Sequence, residues 1–234
     1  MPSRLSYILS SLMEVIFPSS CACCGDTLVR GERQICLDCL TNLDQTLYSA
    51  QEDNPTERLL GGRIRFESAT SLYYFRQGST VQKMIHALKY HGNSELCILM
   101  GRQMGADLLH SGRFDDIDLL VPVPLHWRRK IERGYNQSEL LCKGIGQVLG
   151  RQVESQTLRR HRYTRKQSLQ GASGRVGNVA DAFSVRHPER IAGKHILLVD
   201  DVLTTGATLG SCYDALSTVT GIKISIATLA IAIR

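Results

Sequence analysis

The chain predicts an α/β fold: a mostly parallel sheet flanked by helices, with a small four-cysteine module near its start. Three observations predict it. Strand-like apolar runs alternate with helix-period segments from residue 68 onward. One run, Ile196-Leu197-Leu198-Val199, is apolar at every position, as in a strand buried on both faces of a parallel sheet. Two Cys-x-x-Cys pairs, Cys21/Cys24 and Cys36/Cys39, lie eleven residues apart.

At 234 residues the chain exceeds one typical domain. It divides into residues 1–47 (an N-terminal helix and the cysteine module), a linker over 48–62 and a main domain over 63–234. In the first segment Leu5, Ile8, Leu9, Leu12, Val15 and Ile16 fall near helical spacing. Glu14 interrupts them and no small-residue cleavage site follows, which argues against a secretory signal. The helix is expected to dock on the protein itself. A membrane-surface or partner-docking role is the other reading, with Arg4 the only base on its polar face. Residues 48–62 are polar, contain Pro55 and end in Gly61-Gly62, so they read as a linker.

The main domain then reads as a strand at 68–75, helices at 80–89 and 95–109, a strand at 117–121, a helix at 137–149 and a short strand at 153–158. The strand at 195–199 follows. After Thr208 the spacing of Leu209, Cys212, Tyr213 and Leu216 predicts a helix, and a last strand spans 222–231. There is no internal repeat and no low-complexity segment. The longest apolar stretches are strand-sized, far short of the roughly 20 residues a spanning helix needs, so the chain reads as soluble and cytoplasmic.

The cysteine spacing is that of a structural tetrathiolate zinc site, each pair supplying two ligands from a tight knuckle, with Gly25 where such a knuckle turns. Only about twenty residues are enclosed, too few for a core of their own, so metal binding is expected to supply most of the module's folding free energy. Disulfides and an iron–sulfur cluster are the alternatives, and Cys23 can substitute as a ligand. Cys97, Cys142 and Cys212 sit in apolar helical contexts as small core residues.

The richest stretch runs from Ile196 through Asp200-Asp201-Val202-Leu203-Thr204-Thr205-Gly206-Ala207-Thr208. It joins a strand end to a helix start, where α/β sheets bind ligands and unpaired N–H groups meet phosphates. Gly206 permits close backbone approach, and Thr204, Thr205 and Thr208 add hydroxyl donors. Asp200 and Asp201 can accept from vicinal ribose hydroxyls or hold Mg²⁺ through its waters. The other reading is an ordinary strand–turn–helix with a threonine cap and a solvated Asp pair. Upstream, Val121-Pro122-Val123-Pro124-Leu125-His126-Trp127 fixes a rigid turn after a strand, and Arg128, Arg129, Lys130 and Arg133 follow. Such a turn can present N–H groups and cations to a diphosphate; a stiffened loop before a basic helix is the plainer alternative.

The Asp-Asp-x-x-Thr-x-Gly-x-Thr block resembles the loop of type I phosphoribosyltransferases that binds 5-phosphoribosyl-1-diphosphate (PRPP). Together with Val-Pro-Val-Pro-Leu, Arg133-Gly134-Tyr135-Asn136-Gln137, Leu88-Lys89-Tyr90-x-Gly92, the arginine-rich 159–167 stretch, Leu169, Arg175, Asn178-Val179, Ala182-Phe183 and the four cysteines, the chain resembles the ComF/GntX-like family over nearly its whole length. The resemblance implies a type I phosphoribosyltransferase-like domain fused to a zinc finger, with a role in natural transformation, in which single-stranded DNA is passed into the cytoplasm. It further implies that Asp200 and Asp201 meet the ribose hydroxyls, that Thr204, Thr205, Gly206, Ala207 and Thr208 meet the 5′-phosphate, and that Val121–Pro124 face the diphosphate. Residues 159–175, with Arg159, Arg160, Arg162, Arg165 and Lys166, correspond in position to a mobile loop. Other competence proteins at the inner face of the membrane are implied partners. Some relatives were instead linked to sugar-acid metabolism.

One departure bears on chemistry. Purine-base members carry a third Asp, acting as general base, where this chain has Thr204, which cannot take a proton near neutral pH. A pentosyl transfer here needs an acceptor requiring little deprotonation, such as an amine, or another base. Binding without turnover is the alternative.

The charge is concentrated. Residues 128–133 carry a net +3 and 159–175 a net +6, so the rest of the chain is mildly acidic against an overall +6. The anionic PRPP alone accounts for this concentration. Single-stranded DNA is the further candidate, because Trp127, Tyr135 and Tyr163 interleave with the cations and can stack bases, and Arg30 and Arg33 can extend the track.

Overall fold

The computed structural model describes residues 19–90, 92–161 and 182–233. The expected N-terminal helix and the residues Arg162, Tyr163, Arg165, Lys166 and Arg175 lie outside the described residues.

Chain order gives α1 (Leu37–Thr41), α2 (Pro55–Gly61), β1 (Ala69–Phe75), α3 (Thr80–Tyr90), α4 (Ser94–Ser111), β2 (Leu119–Pro122), α5 (Trp127–Arg133) and α6 (Gln137–Leu149). After these come β3 (Gln152–Val153), β4 (Leu158–Arg160), β5 (Phe183–Val185), β6 (His195–Leu203), α7 (Ala207–Leu216) and β7 (Lys223–Ala232). Five strands form one sheet in the order β1-β7-β6-β2-β3, every pair parallel. The period of two sorts the central strand: Leu197 and Val199 join the core under α3, α4 and α6, while Ile196 and Leu198 join the core shared with α2 and α7. A strand covered on both faces has no solvent side, which is why 196–199 is apolar throughout.

On the first face α4 and α6 pack with their backbones in near contact at Gly101 and Gly144. A Cβ on either would collide with a carbonyl of the facing helix, Leu141 for Gly101 and Ile98 for Gly144. This closeness seats α6, and with it Ser138, against β6.

Residues 48–62 are not an extended linker. They contain α2, and within them Asn54, Thr56 and Glu57 are buried with their polar groups satisfied, while Gln51, Glu52, Asp53 and Arg58 stay exposed. Asn54, 2% exposed, caps α2 by accepting from the amides of Thr56 and Glu57 and donates to the Tyr48, Gln51 and Ala69 carbonyls. Glu57 accepts from the Ala69 amide and pairs with Arg113 at 2.7 Å. The apolar anchor is Leu60, 1% exposed.

The expected strand at 153–158 is two strands. Gln152–Val153 extends the main sheet beside β2, then the Glu154 side chain accepts the Gln156 amide and turns the chain, and Leu158–Arg160 pairs antiparallel with Phe183–Val185. The other expected strands and helices are present within a few residues of their ends. The strand at 195–199 continues through the acid pair to Leu203, with Asp200 in register with Thr228.

The cysteine module is joined to the sheet. Thr46 donates to the Leu72 carbonyl and the Tyr74 amide donates to the Asp44 carbonyl, each at 2.9 Å, so residues 44–46 cover the free edge of β1. Cys21, Ile35, Cys36, Cys39 and Leu43 belong to the first face's buried cluster. The module therefore does not rely on metal alone: it borrows the domain's core.

Candidate functional site: an acid pair at the end of the central strand

Asp200 and Asp201 lie at the carboxyl end of β6. The Ser138 hydroxyl donates to Asp200 Oδ1 at 3.2 Å and the Asp201 amide donates to the same oxygen at 2.9 Å. Burial, with the Asp201 carboxylate beside it, pushes Asp200 up to about 7. Asp201 forms an ion pair with Lys89 from the last turn of α3, Nζ to Oδ2 at 2.8 Å, both side chains about four-fifths buried. Two carboxylates side by side are thus tolerated by different means: burial favours the proton on Asp200, and an ammonium faces Asp201.

The sign of the pH dependence follows. A carboxyl whose folded pKa is raised from 3.8 to about 7 binds more protons folded than unfolded between those values, so this group's contribution is fullest at low pH and is lost as pH rises towards 7. Asp200→Asn is expected to flatten the fall in melting temperature between pH 5 and pH 8 without lowering stability at pH 8; an unchanged slope by thermal denaturation would count against the raised pKa.

Beyond the pair, Thr204 and Thr205 are exposed and Gly206 caps α7 in the left-handed region, φ 72°. Among the described residues no side chain caps α7, which leaves the first amides of the helix without a side-chain acceptor. Gly206 is favoured twice over: its φ is one that side chains rarely adopt, and a Cβ there would lie 2.9 Å from Leu60 Cδ2 of α2, which would have to shift. The helix hidden in 48–62 therefore buttresses this turn.

The 121–124 turn contributes differently from expectation. Val121 and Pro122 lie in β2, Pro122 and Pro124 have no N–H, and the Val123 amide donates to the Val199 carbonyl at 2.9 Å. Three of the four residues offer no amide to a phosphate. They form an apolar wall, tied by Asn136 Nδ2 donating to the Val123 carbonyl at 3.0 Å. The basic residues follow on α5, of which Arg129 and Arg133 line the cleft beside the acid pair.

A cleft of about 630 Å³ opens beside the acid pair, lined by His86, Lys89, Tyr90, Arg129, Asp201 and Thr204 among others. Arg133, on the lining, lies over the exposed Tyr90 ring at 5.5 Å. Trp127, with Arg128 over its ring at 5.2 Å, and Ile131 are exposed on the same short helix but outside the cleft's lining, which also includes Glu132. Lys130 lies near Glu139 at 3.8 Å. Tyr135 is no platform: its ring is partly buried and its hydroxyl donates to the Leu88 carbonyl at 2.9 Å. Arg159 is exposed on β4, while Arg160 lies over Phe183 at 5.3 Å; burial and Arg129 depress its pKa against the pull of Asp200.

Sequence reasoning left four residues of this region without a role: Lys89, Ser138, Tyr90 and His126. Lys89 and Tyr90 stood inside a family-like block, and Ser138 directly follows Asn136-Gln137. His126 is 5% exposed and caps α5 through Nδ1, which accepts from the Arg128 amide at 3.3 Å. Burial and the surrounding Arg128, Arg160 and Arg129 hold its pKa below the usual histidine value.

At the other end of the chain, the sulfurs of Cys21, Cys24, Cys36 and Cys39 lie within 4.8 Å of one another. Zn–S bonds of about 2.3 Å place tetrahedral ligands about 3.8 Å apart, and Cys24 and Cys36 are 3.7 Å apart. The amides of Cys23 and Cys36 donate to Cys21 Sγ at 3.4 and 3.3 Å, and that of Cys39 to Cys36 Sγ at 3.4 Å, so backbone N–H groups point at two of the four sulfurs, while Cys24 and Cys39 are pushed up. Cys21 is brought down to about 6, burial opposing and those N–H groups prevailing. Cys23 lies outside the quartet, and burial and the neighbouring thiols push it up to about 12.

A parallel sheet with an acid pair and an open helix start beyond its central strand defines a phosphoribosyltransferase-type domain, here carrying a four-cysteine module that fits zinc. Residues 138–232 match the phosphoribosyl transferase domain family. The chain is 31% identical over 203 residues to DNA utilization protein YhgH of Escherichia coli K12, covering 82% of this chain and 88% of that one. It is 34% identical over 93 residues to Competence protein F of Haemophilus influenzae, 39% and 41% of the two chains. It belongs to the ComF/GntX-like family. A solved structure of the allosteric regulatory enzyme of purine biosynthesis aligns at 17% identity with a TM-score of 0.37 over 60% of this chain, which spans about a quarter (26%) of that longer protein. Among the described residues no helix is long and apolar enough to cross a membrane.

Proposed function

We propose that this protein binds PRPP with Mg²⁺ at the Asp200–Thr208 turn, binds single-stranded DNA on the adjoining rim, and assists DNA uptake into the cytoplasm during natural transformation, working with other competence proteins there. The observation that carries the first part is the acid pair set directly before an uncapped helix N-terminus. Ribose hydroxyls donate to Asp200 and Asp201; the 5′-phosphate accepts from the Thr204, Thr205 and Thr208 hydroxyls and the amides at the start of α7; the diphosphate lies along the 121–124 wall towards Arg129. The two carboxylates suit a hydrated Mg²⁺ held with the diphosphate, which would neutralise part of the ligand's charge. Lys89 then has a second use, leaving Asp201 to meet the anionic ligand as the ribose hydroxyls arrive.

The DNA part is supported by the names of the relatives and by two exposed rings, Tyr90 at the cleft and Trp127 on α5, each with an arginine over it. Base stacking on an exposed aromatic contributes about 1–3 kcal/mol. Trp127→Ala is therefore expected to weaken binding of a fluorescent oligonucleotide by about 5- to 160-fold. Wild-type affinity should fall steeply with added salt, by about 0.7 log unit per phosphate contact per decade. A flat salt dependence, or equal affinity in the variant, would contradict the interface.

A second reading, transfer of the phosphoribosyl group to an amine with release of pyrophosphate, is favoured by Thr204 at the position where a third Asp would serve as base. Pyrophosphate release from Mg–PRPP, assayed across amines, nucleobases and single-stranded DNA, separates turnover from binding alone.

A further inference from the structure

The turn between α5 and α6 commits each of its side chains to an element around the acid-pair cleft. Gly134, φ 80°, ends α5 in the left-handed region. Tyr135 then donates its hydroxyl to the Leu88 carbonyl at 2.9 Å, Asn136 donates to the Val123 carbonyl, and Ser138 donates to Asp200. Gln137, 1% exposed, reaches two partners. Its Nε2 donates to the Leu88 carbonyl at 3.2 Å, and its Oε1 accepts from Arg133 Nη1 at 2.9 Å.

Leu88 lies in the last turn of α3, where helix carbonyls have no partner within the helix. Two donors from the 135–137 turn meet its carbonyl, so that turn holds the end of α3. The next two residues are Lys89, paired with Asp201 at 2.8 Å, and Tyr90, whose ring faces Arg133 at 5.5 Å. Gln137 therefore holds two cations of the cleft lining from one amide: Arg133 directly, and Lys89 through the backbone of the residue before it. A guanidinium only donates and a carbonyl only accepts, so the amide has one orientation here, oxygen to Arg133 and nitrogen to Leu88. Glutamate has the same shape without the donor. The support is firm, because Gln137 opens α6, whose backbone meets that of α4 at Gly101 and Gly144.

We propose that Gln137, aided by Tyr135, is a positioning residue that sets Lys89 against Asp201 and Arg133 beside it, so that the cleft favours a phosphorylated sugar carrying a diphosphate over the monophosphate alone. Arg133 adds to the charge of Arg129 where the diphosphate lies, and Lys89 keeps the Asp201 carboxylate in place until ribose hydroxyls arrive. The ligand part rests on the PRPP reading; the hold on Lys89 does not. Without the amide, Arg133 keeps its ring contact and Lys89 its ion pair, but nothing fixes the two relative to each other.

The test uses the full chain and reads Lys89 first without ligand, by its rate of acetylation with an N-hydroxysuccinimide ester relative to the exposed Lys223, followed by peptide mass spectrometry. Wild-type Lys89 should label slowly, and Asp201→Asn, which removes its partner, sets the fast limit. Gln137→Glu keeps the Arg133 contact and loses the donor to Leu88, and Tyr135→Phe loses the other donor. Each should speed Lys89 labelling about fivefold, as expected for one lost hydrogen bond, with Lys223 unchanged. Calorimetric titration then compares Mg–PRPP with ribose 5-phosphate. Gln137→Met, which loses both bonds of the amide, should narrow the preference for PRPP about tenfold while ribose 5-phosphate affinity stays within about threefold of wild type. Wild-type labelling of Lys89 in the folded Gln137→Glu and Tyr135→Phe variants overturns the positioning role, and so does an equal rise at every lysine, which is what general loosening produces. An unchanged preference in folded Gln137→Met overturns the link to the diphosphate. Absence of Mg–PRPP binding to the wild-type protein, with Lys89 labelling as expected, overturns the PRPP reading and supports the hold on Lys89.

Discussion

If the four cysteines hold zinc, replacing Cys39 with serine is expected to lower metal content from one equivalent to near zero and to open residues 19–46 to hydrogen exchange. Apparent binding free energies of structural zinc run to about 10–16 kcal/mol, and a three-thiolate remnant retains only part of that. The loss spreads in a specific direction. Cys21, Cys36, Cys39 and Leu43 share a buried cluster with Leu72 and Tyr73 of β1, and residues 44–46 hydrogen-bond along that strand's edge. Exchange should therefore quicken at β1 after the module itself, while β6 and β2 at the centre of the sheet stay protected. Unchanged metal content in Cys39→Ser would defeat the tetrathiolate. Full metal loss with no change in exchange at 19–46 would show that core packing alone holds the module.

Asp201→Asn carries the second large effect. The substitution removes the partner of Lys89, whose ammonium is about four-fifths buried, and should cost about 1–3 kcal/mol of stability. Function should fall much further. The amide cannot accept ribose hydroxyls as a charged group does, nor help hold Mg²⁺, and the unpaired Lys89 no longer leaves a carboxylate in exchange. Two charge-assisted contacts of about 1.5–3 kcal/mol each correspond to a loss of Mg–PRPP affinity of roughly 100-fold or more. Calorimetric titration of the folded variant checks this. Affinity within threefold of wild type would remove Asp201 from the site.

The sheet was legible because its strands are apolar over both faces: 195–199 and 222–231 have no other stable home than the middle of a layered fold. The turn at 204–206 was legible because phosphate-sized turns are local, and Gly206 announces the left-handed cap that the structure contains. What could not be read depends on partners distant in sequence. Asn54, Thr56 and Glu57 look like linker residues until the amides, carbonyls and Arg113 that satisfy them are brought near, and only then does 48–62 become the support of the turn. Lys89 is one more lysine on an amphipathic helix until β6 places Asp201 2.8 Å away. The amides expected of 121–124 are absent because prolines and the Val199 ladder remove them. A cavity of about 560 Å³ on the β1 and β7 side of the turn draws on residues 48, 59, 74, 204 and 231, a set that no window of sequence contains.

The claim on which the rest depends is that the acid pair and the start of α7 form a PRPP site. It is tested most directly by titrating the wild-type protein with PRPP in the presence of Mg²⁺, with ribose 5-phosphate alongside. Saturable one-to-one binding, with ribose 5-phosphate bound more weakly because it lacks the diphosphate, is the predicted result. No saturable binding of PRPP up to millimolar concentration, or equal binding of the two sugars, would contradict it.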